Sequence, residues 1–185
     1  TLHTDGGPLQ WGGGPHSELP DAFYQVGADR ENEVVILTGT GDQFSGPRAS
    51  QGPRRPTRTN DWDRVYWEGK QLLNNLLNIE VPVIGAINGP ALRHSEIPLL
   101  SDIVLATDDT EFQDSAHYPA SLTPGDGVHI LYPLLLGLNR GRYFLLTGQV
   151  LDAQRALELG VVSEVMPRAQ LLPRAWELEI GRAHV

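Results

Sequence analysis

Apolar side chains recur along this chain in two periods. Residues 34–37, 83–87 and 103–106 are short unbroken apolar runs. Such runs suit strands buried on both faces of a parallel sheet. Two further candidates, 110–113 and 161–165, complete the strand set, the last ended by Pro167. Between them lie stretches of helical spacing. The strongest is 61–78, where Trp62, Val65, Tyr66, Leu72, Leu73, Leu76 and Leu77 share a face and Asn60 or Asp61 can cap it. Residues 17–27, with Leu19, Ala22, Phe23 and Val26 on one face, predict a shorter helix. Residues 128–136, 142–147, 153–159 and 170–178 predict four more. Strands that alternate with helices make an α/β layered domain.

Glycine and proline punctuate this pattern. Gly6-Gly7-Pro8 and Gly12-Gly13-Gly14-Pro15 flank Trp11, and Asn88-Gly89-Pro90 closes the second strand. Trp11 is then either a plug at the edge of the core or a substrate wall. Gly39-Thr40-Gly41 follows a buried strand but lacks the Gly-Lys-Ser/Thr ending of a phosphate loop. Residues 44–60 carry Pro47, Pro53 and Pro56 with Arg48, Arg54, Arg55 and Arg58. This is a long loop, either a contact for an anionic ligand or simply solvated.

Composition narrows the function. The chain has 185 residues, enough for one domain with a sizeable core, and a net charge of −9 argues against a nucleic-acid surface. With no cysteine there is neither a disulfide framework nor a thiolate metal site. No apolar run spans a bilayer, and the expected location is cytoplasmic.

One stretch carries candidate chemistry. His117 precedes Asp126, which sits in a Pro124-Gly125-Asp126-Gly127 turn. A carboxylate fixed by a turn can accept the imidazole Nδ1–H, leaving Nε2 to take a proton from water. A plain surface turn is the competing reading. His129 is the rival partner of Asp126. Residues 91–100 add His94 and Glu96, and His94 alone reads first as a satisfied structural histidine.

Taken together, VVILTGTGDQFSG at 34–46, VPVIGAING at 81–89, SDIVLA at 101–106, Phe112, Pro124-Gly125 and LTGQVLDA at 146–153 resemble the crotonase (enoyl-CoA hydratase/isomerase) superfamily. The resemblance implies a spiral of β-β-α units, here without the first strand and the C-terminal helical segment. It also implies a trimer-based homo-oligomer. Residues 1–178 are the expected core domain, and 179–185, which break the preceding helical pattern, are expected to be a non-native tail.

The departures from the hydratase pattern point further. Arg93-His94-Ser95 stands where a hydratase has three glycines, and Ile97 and Ala116 stand where its two catalytic glutamates fall. Instead the chain resembles the branch of 6-oxocamphor hydrolase and related β-diketone hydrolases, through His94, His117-Tyr118-Pro119, Asp126 and Trp11. That resemblance implies hydrolysis of the C–C bond between two carbonyls of a cyclic β-diketone by a retro-Claisen reaction. His117, oriented by Asp126, would activate water. His94 and the Trp11 indole N–H would hold a carbonyl or enolate oxygen, helped by backbone N–H groups near Ser45 and Gly46. No metal or cofactor is called for, and the partner is a small diketone. The alternatives are an enoyl-CoA hydratase/isomerase acting on a thioester and a non-catalytic assembly module.

Overall fold

A computed structural model of the chain describes residues 1–46 and 58–180. Most of the arginine-rich loop, with Arg48, Arg54 and Arg55, lies outside them. Strands β1 (Val35–Thr38), β2 (Val83–Ile87) and β3 (Ile103–Thr107) form a parallel sheet in sequence order. Val35 lies opposite Val83, and Ile84 opposite Ile103. A pair of antiparallel strands, β4 (Glu111–Phe112) and β5 (Leu151–Asp152), stands apart from this sheet. Strand β6 (Glu164–Met166) joins the far edge of β3 in parallel. After each of β1, β2 and β3 the chain passes through a second, shorter ladder. Its rungs are Gln10–Gly46, Ser45–Ala91 and Ala91–Phe112. Repetition of strand, short strand and helix makes the β-β-α spiral of an α/β fold.

Helices α1 (Gly13–Ala28) and α2 (Thr59–Leu77) pack on each other. The short α3 (Glu96–Leu99) follows β2. Next come a 3-10 turn at Tyr118–Ala120, then α4 (Val128–Leu136), α5 (Leu138–Thr147) and α6 (Ala153–Glu158). Helix α7 (Arg168–Ile180) covers one sheet face through Leu171 and Ala175, against Ile84, Ala86, Leu105 and Met166. The opposite face holds the larger core, where Leu72, Ile87, Ile97, Phe112 and Tyr132 are fully buried. Each such aliphatic or aromatic side chain contributes roughly 1.5–3 kcal/mol. Ile130, Leu134, Leu138 and Leu146 remain exposed on α4 and α5. No described helix is long and apolar enough to cross a membrane.

Asn88 ties the β1 and β2 turns together. Its Oδ1 accepts Gly39 N–H at 3.0 Å, and its Nδ2 donates to Gly41 O at 3.0 Å and Gln43 O at 3.3 Å. The next residue must be glycine: Gly89 has φ 144°, and a Cβ there would meet the Asp42 carbonyl oxygen at 2.1 Å.

Several boundaries differ from those the pattern predicts. Helix α1 starts at Gly13, inside the glycine-proline cluster, because Pro15 fits a first helical turn and Ser17 Oγ donates back to Gly13 O at 2.9 Å. Helix α2 is preceded by Arg58 with no side-chain cap; Asp61 lies in its first turn, where a carboxylate suits the helix dipole. Gly137, at φ 81°, separates α4 from α5, so α5 starts at Leu138. The last strand is 164–166, while Val161 and Val162 are core residues of the preceding loop. At the start of the chain, Leu2 N–H donates to Thr38 O at 2.8 Å, placing it on the β1 edge. Helix α7 continues to Ile180, past the predicted end at 178.

Candidate active site

Three chain segments converge beside β2. The first is the turn before α3. His94 there adopts φ 51°, a left-handed backbone that side chains rarely take. Strain of this kind costs on the order of 1–3 kcal/mol and persists where its surroundings impose it. Leu92 N–H donates to Ser45 O at 2.9 Å and Ile97 N–H to His94 O at 3.1 Å, which fixes the turn. The second segment follows β4. Gln113 N–H donates to Ala91 O at 3.3 Å and Ser115 N–H to Leu92 O at 3.0 Å. Asp114 and His117 are thereby laid alongside His94. The third is the turn before α4, where Gly127, at φ 108°, presents Asp126.

The side chains form one row of hydrogen bonds and ion-pair contacts. Asp114 Oδ1 lies 2.8 Å from His117 Nδ1, and His117 Nε2 lies 3.0 Å from Asp126 Oδ2. The same Asp126 oxygen lies 3.3 Å from His94 Nδ1, which also meets Glu96 Oε1 at 2.7 Å. Carboxylate and imidazole alternate from Asp114 to Glu96. The His94 ring is stacked on Trp11 at 3.9 Å between centroids and 30° between planes. Beside them His16, on α1, holds Glu68 of α2 through Nδ1 at 3.0 Å, its ring 6.1 Å from Trp11 and 6.2 Å from His94.

Burial and charge set the protonation states. Burial would push His117 toward its neutral form, but hydrogen bonds and charge from Asp114 and Asp126 raise it to about 10. Burial would raise Asp126, yet the His117 hydrogen bond and the charges of His94 and His117 take it down to about 2. Burial likewise opposes charge on His94, and Glu96 outweighs it, so His94 is raised. Glu96 is fully buried and raised, chiefly by desolvation. His16 goes the other way: burial dominates its bond to Glu68 and lowers it. At neutral pH the site therefore holds a cationic His117 and a neutral His16.

The sequence-predicted residues fall as follows. His94, His117, Asp126 and Trp11 come together. The His117–Asp126 contact exists, but through Nε2 rather than Nδ1, and Asp114 occupies Nδ1. Turning the ring over would exchange the two carboxylates and free neither nitrogen. Trp11 meets His94 with its ring face. Ser45 and Gly46 correct the expectation of free oxyanion donors: Ser45 N–H donates to Pro90 O at 3.2 Å and Gly46 N–H to Leu9 O at 3.0 Å. The second ladder consumes both. His129 is exposed on α4 and is no rival for Asp126. Arg58, last of the loop arginines, is exposed ahead of α2.

Sequence reasoning missed Asp114, His16 and Glu68 and gave Glu96 no role. Asp114 and Glu96 each lie within three residues of a candidate histidine, a proximity that could have singled them out. His16 and Glu68 are joined only by the α1–α2 packing. One ligand atom each from His94, Glu96 and Asp126 lie within 4.8 Å of one another among the described residues. The 2.7 Å ring–carboxylate contact inside that group is a shared proton's length, and we read the group as hydrogen-bonded.

Comparison with known proteins agrees with this architecture. A β-diketone hydrolase from the cyanobacterium Anabaena sp. PCC 7120, solved with (S)-3-oxocyclohexyl acetic acid bound, superposes with a TM-score of 0.94 at 52% identity. That match covers 100% of this chain and 74% of the hydrolase. An enoyl-CoA hydratase from Bacillus anthracis gives a TM-score of 0.81 at 26% identity, over 94% of this chain and 67% of its own. Among curated sequences, a probable enoyl-CoA hydratase of Mycobacterium bovis is 29% identical over 168 residues, 86% of this chain and 59% of the relative. A short-chain enoyl-CoA hydratase of Clostridium acetobutylicum is 28% identical over 87% of this chain and 62% of its own length. The chain thus spans about three fifths of the curated relatives it matches. The enoyl-CoA hydratase/isomerase family model matches residues 15–180, and with the crotonase fold already on view, the chain belongs to that family.

Proposed function

We propose that the site hydrolyses the C–C bond between the carbonyls of a cyclic β-diketone. The observation that carries this reading is the row of two imidazoles and three carboxylates, backed by Trp11, in a chain where the family pattern puts Ile97 at the hydratase glutamate. Ile97 is 1% exposed and belongs to the core. The carboxylate needed to hydrate a conjugated thioester is replaced there by an alkyl group. The likeness to the Anabaena β-diketone hydrolase supports the same reading.

The chemistry follows from the charges. His94, whose Nε2 has no hydrogen-bond partner among the described residues, faces a developing oxyanion as donor. Water entering between His117 Nε2 and Asp126 Oδ2 separates the ring from one of its two acceptors. In the fraction of molecules whose Nε2 proton has been lost to solvent, Nε2 takes a proton from the water as hydroxide adds to a carbonyl carbon. The C–C bond breaks, its electron pair settles as an enolate on the second carbonyl, and the carbon is reprotonated from the row. Diketone and water give one keto acid. Exposed Ile130, Leu134, Leu138 and Leu146 support a further element of the proposal, a trimer-based homo-oligomer.

The test is a panel of cyclic 1,3-diketones followed by proton NMR, with crotonyl-CoA as the competing substrate. Ring-opened keto acid without hydration of the thioester is the expected result. Hydration of crotonyl-CoA with no diketone opened would overturn it.

A further inference from the structure

The geometry points to Asp114, rather than Asp126, as the residue that positions His117: it holds Nδ1–H, so that Nε2 exchanges the proton and Asp126 is its proton partner. The inference rests on the hydrolase reading for its catalytic meaning, though not for its geometry.

An orienting group must be fixed by its own surroundings and serve a single imidazole. Asp114 satisfies both conditions. It is 2% exposed, and the residues on either side of it, Gln113 and Ser115, are pinned to Ala91 and Leu92. Ser115 adds a side-chain bond to Leu92 O at 2.6 Å. The Oδ1 that takes the His117 contact also accepts Ala116 N–H at 3.3 Å, a local turn that sets the carboxylate plane. Asp126 is placed otherwise. It is carried by a glycine turn, and one of its oxygens is divided between His117 and His94. Among the described residues each carboxylate leaves its second oxygen buried without a hydrogen-bond partner, Oδ1 of Asp126 and Oδ2 of Asp114, so the difference lies in the oxygen that meets the ring. Asp126 divides that oxygen between two imidazoles and can let Nε2 go, while Asp114 serves one imidazole from a segment pinned on both sides.

Every charged or titratable group near the His117 ring fits this division. Asp114 and Asp126 flank it, and the His94 ring lies edge-on at 6.0 Å with Glu96 behind it. Arg93 feels the Asp114 charge, as does the buried Tyr132 phenol, which bonds Ser95 Oγ at 2.6 Å. None of these supplies a second acceptor for Nδ1.

The experiment is nitrogen-15 NMR of the chain with labelled histidine, titrated through pH 10 and paired with turnover of cyclic 1,3-diketones. In the unaltered protein His117 is expected to lose the Nε2 proton first and keep Nδ1–H. Loss of the Nδ1 proton first would overturn the proposal without any variant. In Asp114→Asn the neutral ring should switch to the Nε2–H form, with kcat down roughly 10²–10⁴-fold and KM held. Asp126→Asn should keep Nδ1–H. Nδ1–H kept in Asp114→Asn and lost in Asp126→Asn would return the orienting role to Asp126. If no diketone is opened while the proton pattern holds, the hydrolase reading fails and the placement of Asp114 stands.

Discussion

A histidine held at both ring nitrogens behaves unlike a free imidazole. His117 is raised to about 10, so the base form is scarce in the free enzyme at neutral pH. The acidic limb of kcat/KM for diketone opening should accordingly lie well above the ordinary 6.5 and rise toward 10. A limb at 6.5 would mean that the Asp126 contact is already open in solution. His94 makes a different prediction. His94→Ala removes one oxyanion donor and should cut kcat on the order of a hundredfold, measured beside Tm on the same sample. Trp11 meets His94 by its ring face, so Trp11→Phe should be mild in both readouts. Trp11→Ala should cost about 3–5 kcal/mol in chemical denaturation.

Helices and strands were the most legible part of this sequence, because burial on both faces leaves unbroken apolar runs such as 83–87. Boundaries were lost where local chemistry outweighs the pattern, as at Gly13 and Gly137. At the site, the turn and its spacing exposed Asp126 and His117, and motif likeness gave His94 its role. Asp114 and Glu96 stood beside those histidines in the chain, but short-range spacing does not say which carboxylate reaches which nitrogen. His16 and Glu68 lie 52 residues apart and meet only because α1 crosses α2. The same tertiary logic governs the turns. Asn88 makes three hydrogen bonds that join β1 to β2, and Asn88→Ala leaves Gly39 N–H without its acceptor. Urea denaturation of that variant should show a loss of about 1–3 kcal/mol, with m unchanged.

For the whole molecule, the buried row makes stability depend on pH in a fixed sense. His117 binds its proton more tightly folded than unfolded, so its contribution is complete below 6.5 and is lost as pH rises through about 10. His94 and Glu96, both raised, slope the same way. His16 is lowered, so its contribution is complete above 6.5 and declines as pH falls. Asp126 adds a further loss as pH falls from 3.8 through about 2. Calorimetric Tm should therefore fall as pH rises from 6.5 through about 10 and again as it drops below 3.8, and His117→Gln should flatten the alkaline side. An alkaline slope unchanged in that variant would place the titrating group elsewhere.

The left-handed turn at His94 also shapes how such a protein drifts under mutation. Glycine takes that backbone without strain, so His94→Gly relaxes the turn while deleting a ring from the site. The same change opens a hole beneath Trp11 and leaves the buried Glu96 without its imidazole, a larger loss than the strain relieved. A library selected for thermostability alone should therefore keep this histidine as firmly as one selected for turnover, so that selection for the fold also guards the chemistry.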